Sequence, residues 1–243
     1  MNGQGYLDIH THILPGVDDG AVDFEMTKRM LKEAYQQGTR TMVATPHSYP
    51  HKEKQNIEKI TSLHAQVAEL AMEIDSNFKI LLGNEIYFRD GIFQEMKDGE
   101  LFTMAESRYL LVEFSPREKF QRIFQGMKDL IELGYYPIIA HVERVRSLVT
   151  EEKKIDDLIE LGCYLQVNCE SLMGGIFDSE AKRLRKLILN RKIHFLGSDC
   201  HNLSDRPPIM SSCVEVLYKK LPKDAVDCLL YHNQQKFMEK KFI

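Results

Sequence analysis

The chain has 243 residues, of which 43% are hydrophobic, enough to fill the core of one large α/β domain spanning residues 1–243. A formal net charge of -4 and a pI near 6.2 exclude general attraction to nucleic acid or an anionic membrane, so an anionic substrate must be met by positive groups gathered at one site. No run approaches the ~18 apolar residues of a membrane span, the first residues lack a basic-then-apolar signal pattern, and five cysteines without a CxxC pair argue against a disulfide framework or zinc knuckle; a cytoplasmic protein is expected.

Tyr6, Leu7 and Ile9 form a predicted strand that runs into Asp8-Ile9-His10-Thr11-His12 and is stopped by Pro15, Gly16 and Gly20. Alternate strand residues share a face, so His10 and His12 can aim two imidazoles at one ion. Asp23 can cap a helix over 23–37, with Met26, Met30, Leu31 and Ala34 on one face and Gly38 at its end. Thr41-Met42-Val43-Ala44 is the second strand, and Pro46 stops it just before His47. A polar loop over 48–55, with Pro50 and His51, leads to an amphipathic helix marked by Ile57, Ile60, Leu63, Val67, Leu70 and Ile74; His64 beside that stripe reads as packing. The third strand runs from Lys79 and ends at Glu85.

After an irregular stretch with Gly91 and Gly99 comes the fourth strand, Tyr109-Leu110-Leu111-Val112-Glu113-Phe114, whose carboxylate needs a partner if it is buried. Phe120, Ile123, Phe124, Met127, Leu130 and Ile131 line the next helix, which Gly134 closes, and Pro137-Ile138-Ile139-Ala140-His141 is the fifth strand. A helix over 150–161, a strand Tyr164-Leu165-Gln166-Val167-Asn168, and a basic helix capped by Ser179 follow. Its lysines and arginines read as a solvated face. The seventh strand, Ile193-His194-Phe195-Leu196-Gly197, runs into Ser198-Asp199-Cys200-His201; His194 reads as structural, and helices over 209–219 and 223–240 complete the chain.

Seven strands alternating with helices favour a parallel sheet, and closure into a barrel covers both of its faces. Active sites of parallel barrels gather at the C-terminal strand ends, and there fall His10, His12, His47, Glu85, Glu113, His141, Asp199 and His201. Taken singly, each has an ordinary reading as a surface carboxylate, a core histidine or a turn cap. Their joint placement predicts a metal site. Imidazole and carboxylate without thiolate suit manganese, iron or zinc better than calcium, and so many donors imply two or three ions.

The spaced set of His-Thr-His, Thr-Pro-His, two strand-end glutamates, Ile-Ile-Ala-His-Val-Glu-Arg and Gly-Ser-Asp-Cys-His resembles the polymerase and histidinol phosphatase (PHP) superfamily. Within it, DIHTHILPGVDDGA and SDCHNLSDRPP are similar to the bacterial metal-dependent protein-tyrosine phosphatases of capsular and exopolysaccharide synthesis. The resemblance covers essentially the whole chain. It implies a distorted seven-stranded (β/α)7 TIM-like barrel, the PHP fold, with a manganese site of two or three ions, iron or zinc being possible. By motif, one ion takes His10, His12, Glu85 and Asp199; Glu85 bridges to a second held by Glu113 and His141; a third takes His47, His201 and Asp18, or Asp19 in place of Asp18.

That family chemistry is attack on phosphorus by a metal-activated hydroxide, with Arg144 and Arg206 matching the positions that contact the phosphoryl group. Asp18 or Asp19 is a possible proton donor to the leaving group. The implied substrate is a phosphotyrosine protein, a bacterial tyrosine kinase of capsular or exopolysaccharide synthesis. The alternatives are a histidinol-phosphatase-like enzyme for small molecules and a barrel that binds metal or a partner without turnover. Tyr49, Phe88 and Phe114 can flank a phenyl pocket or belong to loop and core. Cys200 and Arg206 also fit the CX5R spacing of cysteine-dependent tyrosine phosphatases, but the intervening loop has no glycine and Pro207 follows the arginine.

Overall fold

Strand pairing in the computed structural model is parallel throughout the described residues, which are 5–48, 56–175 and 177–243. The expected loop beyond Ser48, with Tyr49, Pro50 and His51, and the start of the chain lie outside them. In chain order the strands are β1 (Tyr6–Thr11), β2 (Thr39–Ala44), β3 (His47–Ser48), β4 (Lys79–Leu82), β5 (Glu85–Tyr87), β6 (Tyr109–Glu113), β7 (Tyr136–Ile139), β8 (Tyr164–Asn168) and β9 (Phe195–Gly197).

These segments make seven staves. Pro46, which has no N–H to give a ladder, separates β2 from β3, and Gly83 and Asn84 separate β4 from β5. The two broken staves stay in step: Gly83 N–H donates to the Ala44 carbonyl at 2.9 Å, Glu85 N–H to that of Pro46 at 3.2 Å, and the Asn84 amide to the same Pro46 oxygen at 2.9 Å. On one side of the break the order is β1-β2-β4, and on the other β3-β5-β6-β7-β8-β9. The ring closes where Thr11 pairs with Cys200, with His12 N–H donating to Cys200 O at 2.9 Å and Asp199 N–H to His10 O at 2.8 Å. This is the expected distorted seven-stranded α/β barrel.

Its N-terminal end is filled. Tyr109, Tyr136, Tyr164 and Phe195, each the first residue of its strand, pack with Phe237, and the C-terminal segment seals them: Tyr109 Oη donates to Lys241 O and Ile243 N–H donates to Tyr164 Oη at 2.9 Å. The open mouth is therefore the C-terminal one.

Outside the barrel, helices bury the predicted stripes. Phe24–Gln36 is capped by Asp23, whose side chain accepts from Met26 N–H, and buries Met30, Leu31 and Ala34; Phe120–Glu132 buries Ile123, Met127 and Leu130. Phe88 and Phe114, with ring centroids 4.9 Å apart, lie in the same core cluster as that second helix and so are core rather than pocket walls. The basic helix begins at Ser179 but its cap is Asp178, which accepts from Ala181 N–H. The expected helix over 223–240 is three successive pieces, Lys223–Asp227, a π-turn at Cys228–His232, and Asn233–Met238. The short helix Ile92–Lys97 occupies a stretch read as irregular, and a further short helix, Arg146–Val149, follows the fifth predicted strand. No helix of the described residues is long and apolar enough to cross a membrane.

Candidate metal centre

The mouth brings all eight strand-end donors together, and the backbone is shaped for it. A Cβ at Gly197 would lie 2.6 Å from His10 Cβ, and one at Gly20 would lie 2.2 Å from His12 O, so only glycine lets these segments approach the two histidines. His141 and Asp199, each just past a strand end, have φ of 28° and 55°. Left-handed conformations at non-glycine residues cost on the order of 1–3 kcal/mol and persist where the surroundings impose them.

The ring nitrogens define what the centre can hold. His10 Nδ1 lies 3.2 Å from Gln166 Oε1, and His12 Nδ1 lies 2.9 Å from Asp18 Oδ2. Both partners are acceptors, so in each neutral ring the proton sits on Nδ1 and the lone pair on Nε2. Those two Nε2 atoms face each other at 3.2 Å. Glu85 Oε2 is 3.1 Å and 3.3 Å from them, and Asp199 Oδ1 is 3.4 Å from both. Four lone pairs thus converge in a volume shut off from water, an arrangement that repels itself unless a cation lies among them. Glu85 Oε2, Asp199 Oδ1, Glu113 Oε2 and His201 Nε2 are buried with no hydrogen-bond partner, as unfilled ligand atoms would be.

Glu85 spans two donor groups. Its Oε2 lies 2.9 Å from His47 Nδ1, and its Oε1 lies 2.7 Å from His141 Nε2. Glu113 lies 3.9 Å from both His47 Nδ1 and His141 Nε2. The third group is His12, His47, His201 and Asp19, with Asp19 Oδ1 3.3 Å from His47 Nε2 and 3.5 Å from His201 Nε2. Asp18, expected in this group, is committed elsewhere: its Oδ2 accepts from His12 Nδ1 and from His47 N–H at 3.1 Å, and its Oδ1 from Gly20 N–H at 3.0 Å. With three of its four lone-pair directions so engaged, Asp18 is the poorer donor of the two to this group, and Asp19 faces it instead. Burial works against its charge, but His12 and these N–H groups hold its carboxyl well below the usual range.

The electrostatics agree on excess negative charge. Burial opposes protonation of His10, yet Glu85 and Asp199 raise its pKa, and those carboxylates with Asp18 do the same at His12. For Glu113, burial and the neighbouring Glu85 push the carboxyl up. A bound cation removes all of these conflicts at once. Arg144 and Arg206 meet at Asp199 Oδ2, with Nη2 at 3.0 Å and 2.5 Å. Both are partly exposed at the mouth, so each guanidinium can present its remaining N–H groups to an incoming anion.

Sequence reading passed over two residues of the centre. Gln166 and Asn168 stand at alternate positions of β8, the stave with no candidate ligand, and Asn168 Nδ2 donates to Asp199 Oδ2 at 2.8 Å. Two amides on one face of an otherwise apolar buried strand were the available signal. The remaining histidines are structural as read: His64 Nε2 donates to Ile80 O at 2.9 Å, and His194 Nδ1 accepts from Leu165 N–H at 3.2 Å. Cys200 is fully buried among apolar side chains, and burial pushes its thiol up to about 12, so the CX5R match supplies no thiolate.

A parallel barrel whose mouth gathers imidazole and carboxylate donors beside two guanidinium groups is a barrel able to hold metal ions. The chain belongs to the capsular polysaccharide synthesis CpsB/CapC family, whose pattern it matches over residues 6–239. It is 35% identical over 242 residues to the tyrosine-protein phosphatase CpsB of Streptococcus pneumoniae, covering 98% of this chain and 100% of that one. With the tyrosine-protein phosphatase YwqE of Bacillus subtilis it shares 32% over 216 residues, 88% and 84% of the two chains. Among solved structures, one from the crystallography of YwqE and CpsB, described as metal-dependent tyrosine phosphatases, superimposes with a TM-score of 0.87 at 31% identity over 98% and 96% of the chains. The phosphotriesterase homology protein of Escherichia coli, at 13% identity and a TM-score of 0.63 over 97% and 99%, shares the fold.

Proposed function

We propose that this protein is a metal-dependent tyrosine-protein phosphatase of capsular polysaccharide synthesis, holding two or three manganese ions and acting on a bacterial tyrosine kinase. The observation that carries the chemistry is the convergence of His10 Nε2, His12 Nε2, Glu85 Oε2 and Asp199 Oδ1 beside two arginines. His10, His12, Glu85 and Asp199 would hold one ion, Glu85 (shared through its second oxygen), Glu113 and His141 a second, and His47, His201 and Asp19 a third. Divalent ions bound there would supply Lewis acidity, lowering the pKa of a water toward neutrality and screening charge on the phosphoryl group.

The chain's own residues do the rest. Arg144 and Arg206 turn from Asp199 to the phosphoryl oxygens, where a guanidinium makes charge-assisted paired hydrogen bonds. Asp18 keeps the proton of His12 on Nδ1 and its lone pair on Nε2. The tyrosine leaving group has an ordinary pKa of about 10 and departs with less protonation than an alkoxide needs, so the ionised Asp18 is no obstacle. Five free cysteines suit a reducing cytoplasm.

The test is phosphate release by manganese-loaded protein from a phosphotyrosyl peptide and from histidinol phosphate, with Cys200→Ala assayed in parallel. The peptide should be the better substrate and Cys200→Ala should turn it over. Preference for histidinol phosphate would reassign the substrate, loss of turnover in a folded Cys200→Ala would overturn the metal-based chemistry, and inactivity on both substrates would leave a binding barrel.

A further inference from the structure

Strand β8 carries no ligand, yet its two amides reach three of the ligating residues. Gln166 is fully buried, and its Oε1 accepts both from His10 Nδ1 at 3.2 Å and from the backbone N–H of His141 at 2.8 Å. Its Nε2 donates to Asn168 Oδ1 at 2.8 Å, and Asn168 Nδ2 donates to Asp199 Oδ2 at 2.8 Å. Asn168 is itself tied down by its N–H, which donates to Glu143 Oε1 at 2.9 Å.

The directions of these bonds are forced. A backbone N–H can only donate, so the Gln166 atom facing His141 must be the oxygen. The same oxygen then demands a proton on His10 Nδ1. The Gln166 amide nitrogen demands the oxygen of Asn168, which turns the Asn168 nitrogen to Asp199. One backbone N–H thereby fixes the tautomer of His10 and commits one oxygen of Asp199, leaving Nε2 and Oδ1 for the centre. It also braces His141 in its positive-φ conformation.

We infer that Gln166 is a positioning residue whose Oε1 sets the ring tautomer of His10 and the orientation of His141, so that the barrel's ligand-free strand governs how tightly the centre holds its ions. The inference rests on the metal reading above. It differs from a packing role in a way that can be measured, because what matters is the acceptor at Oε1, not the volume.

Gln166→Met keeps the volume and removes the acceptor; Gln166→Glu keeps the acceptor toward His10 and His141 but loses the donor to Asn168. A packing role predicts that methionine is the milder change, since a second carboxylate in a dry core is costly. The positioning role predicts the reverse. Metal-free wild type and both variants are titrated with zinc and with manganese against a chromophoric chelator. Gln166→Met should bind about 10–100-fold more weakly, the usual penalty for losing the outer partner of a ligating histidine, and Gln166→Glu should stay much closer to wild type. Methionine at wild-type affinity, or glutamate as weak as methionine, overturns the inference. If Gln166→Met does not fold, a loss of tenfold or more in Gln166→Glu alone overturns it.

The ring 15N shifts of His10 in the metal-free protein, followed up in pH until the ring is neutral, read the tautomer without any ion. Nδ1–H in wild type and Gln166→Glu, and its loss in Gln166→Met, support the inference even if wild type binds neither metal, which would sink the metal reading instead. The Nδ1–H tautomer in Gln166→Met contradicts it.

Discussion

Arg206→Ala separates binding of the phosphoryl group from holding of the ions. Arg206 Nη2 lies 2.5 Å from Asp199 Oδ2, and that oxygen also accepts from Arg144 at 3.0 Å and Asn168 at 2.8 Å. Truncation therefore leaves Asp199 with two donors, and its Oδ1 keeps its place 3.4 Å from His10 and His12. The ions should stay bound. A phosphate monoester brings about two negative charges to a mouth that then has one guanidinium instead of two. Losing one preorganised donor to a developing oxyanion costs roughly 10²–10³ in rate, about 3–4 kcal/mol. Arg206→Lys keeps the charge without the planar fork and should fall between. The assay is phosphate release from a phosphotyrosyl peptide at saturating manganese, with bound metal counted on the same sample. Turnover within a few-fold of wild type, or metal lost in step with activity, would refute this assignment; the second result would make Arg206 a prop for Asp199.

Asp18→Ala frees His12 Nδ1 and should weaken manganese binding about 10–100-fold by chelator competition, whereas a ligand role for Asp18 requires complete loss of one ion from the metal count. Gly197→Ala drives a methyl into His10 Cβ and Gln166 Nε2, which at the usual cost of overpacking lowers stability by about 1–3 kcal/mol in a urea titration; unchanged stability and metal affinity would show that β9 has room to shift. Acid should expose His194, whose pKa burial lowers from 6.5 to about 4. The unfolded chain takes up that proton first, so stability falls as pH drops from about 6.5 to about 4, by roughly 3 kcal/mol, and is fully present above that window. His194→Gln keeps an acceptor for Leu165 N–H and should remove this part of the pH dependence; parallel curves for the two proteins would contradict it.

The run of staves and the eight candidate donors that the structure gathers at their ends were legible because each is a local event, an apolar run that ends on an imidazole or carboxylate. His141 and Asp199 announce themselves this way whatever their backbone strain. Two features were not local. The choice between Asp18 and Asp19 depends on how the turn before Gly20 folds over His12, since adjacent residues of a turn point in different directions and either carboxylate fits the spacing. The role of Gln166 depends on the backbone N–H of His141, which the pairing of β7 with β8 brings beside it, and on His10, which barrel closure brings across. The breaks at Pro46 and Gly83 were visible as residues but not as a split sheet, because Pro46 O still takes hydrogen bonds that keep the staves in register. The cap at Asp178 instead of Ser179 is a choice between two good capping residues side by side, and the carboxylate holds the place.

Removing and restoring the ions tests the central claim most directly. Protein stripped with a chelator, then reloaded with manganese, is assayed for phosphate release from a phosphotyrosyl peptide beside Glu85→Gln, with bound metal counted at each stage. Glu85 reaches His10, His12, His47 and His141, so its loss touches more than one ion. The wild type should lose turnover on stripping and regain it with more than one manganese per chain, and Glu85→Gln should neither hold that number nor recover. Turnover that survives in protein carrying no metal would contradict the account.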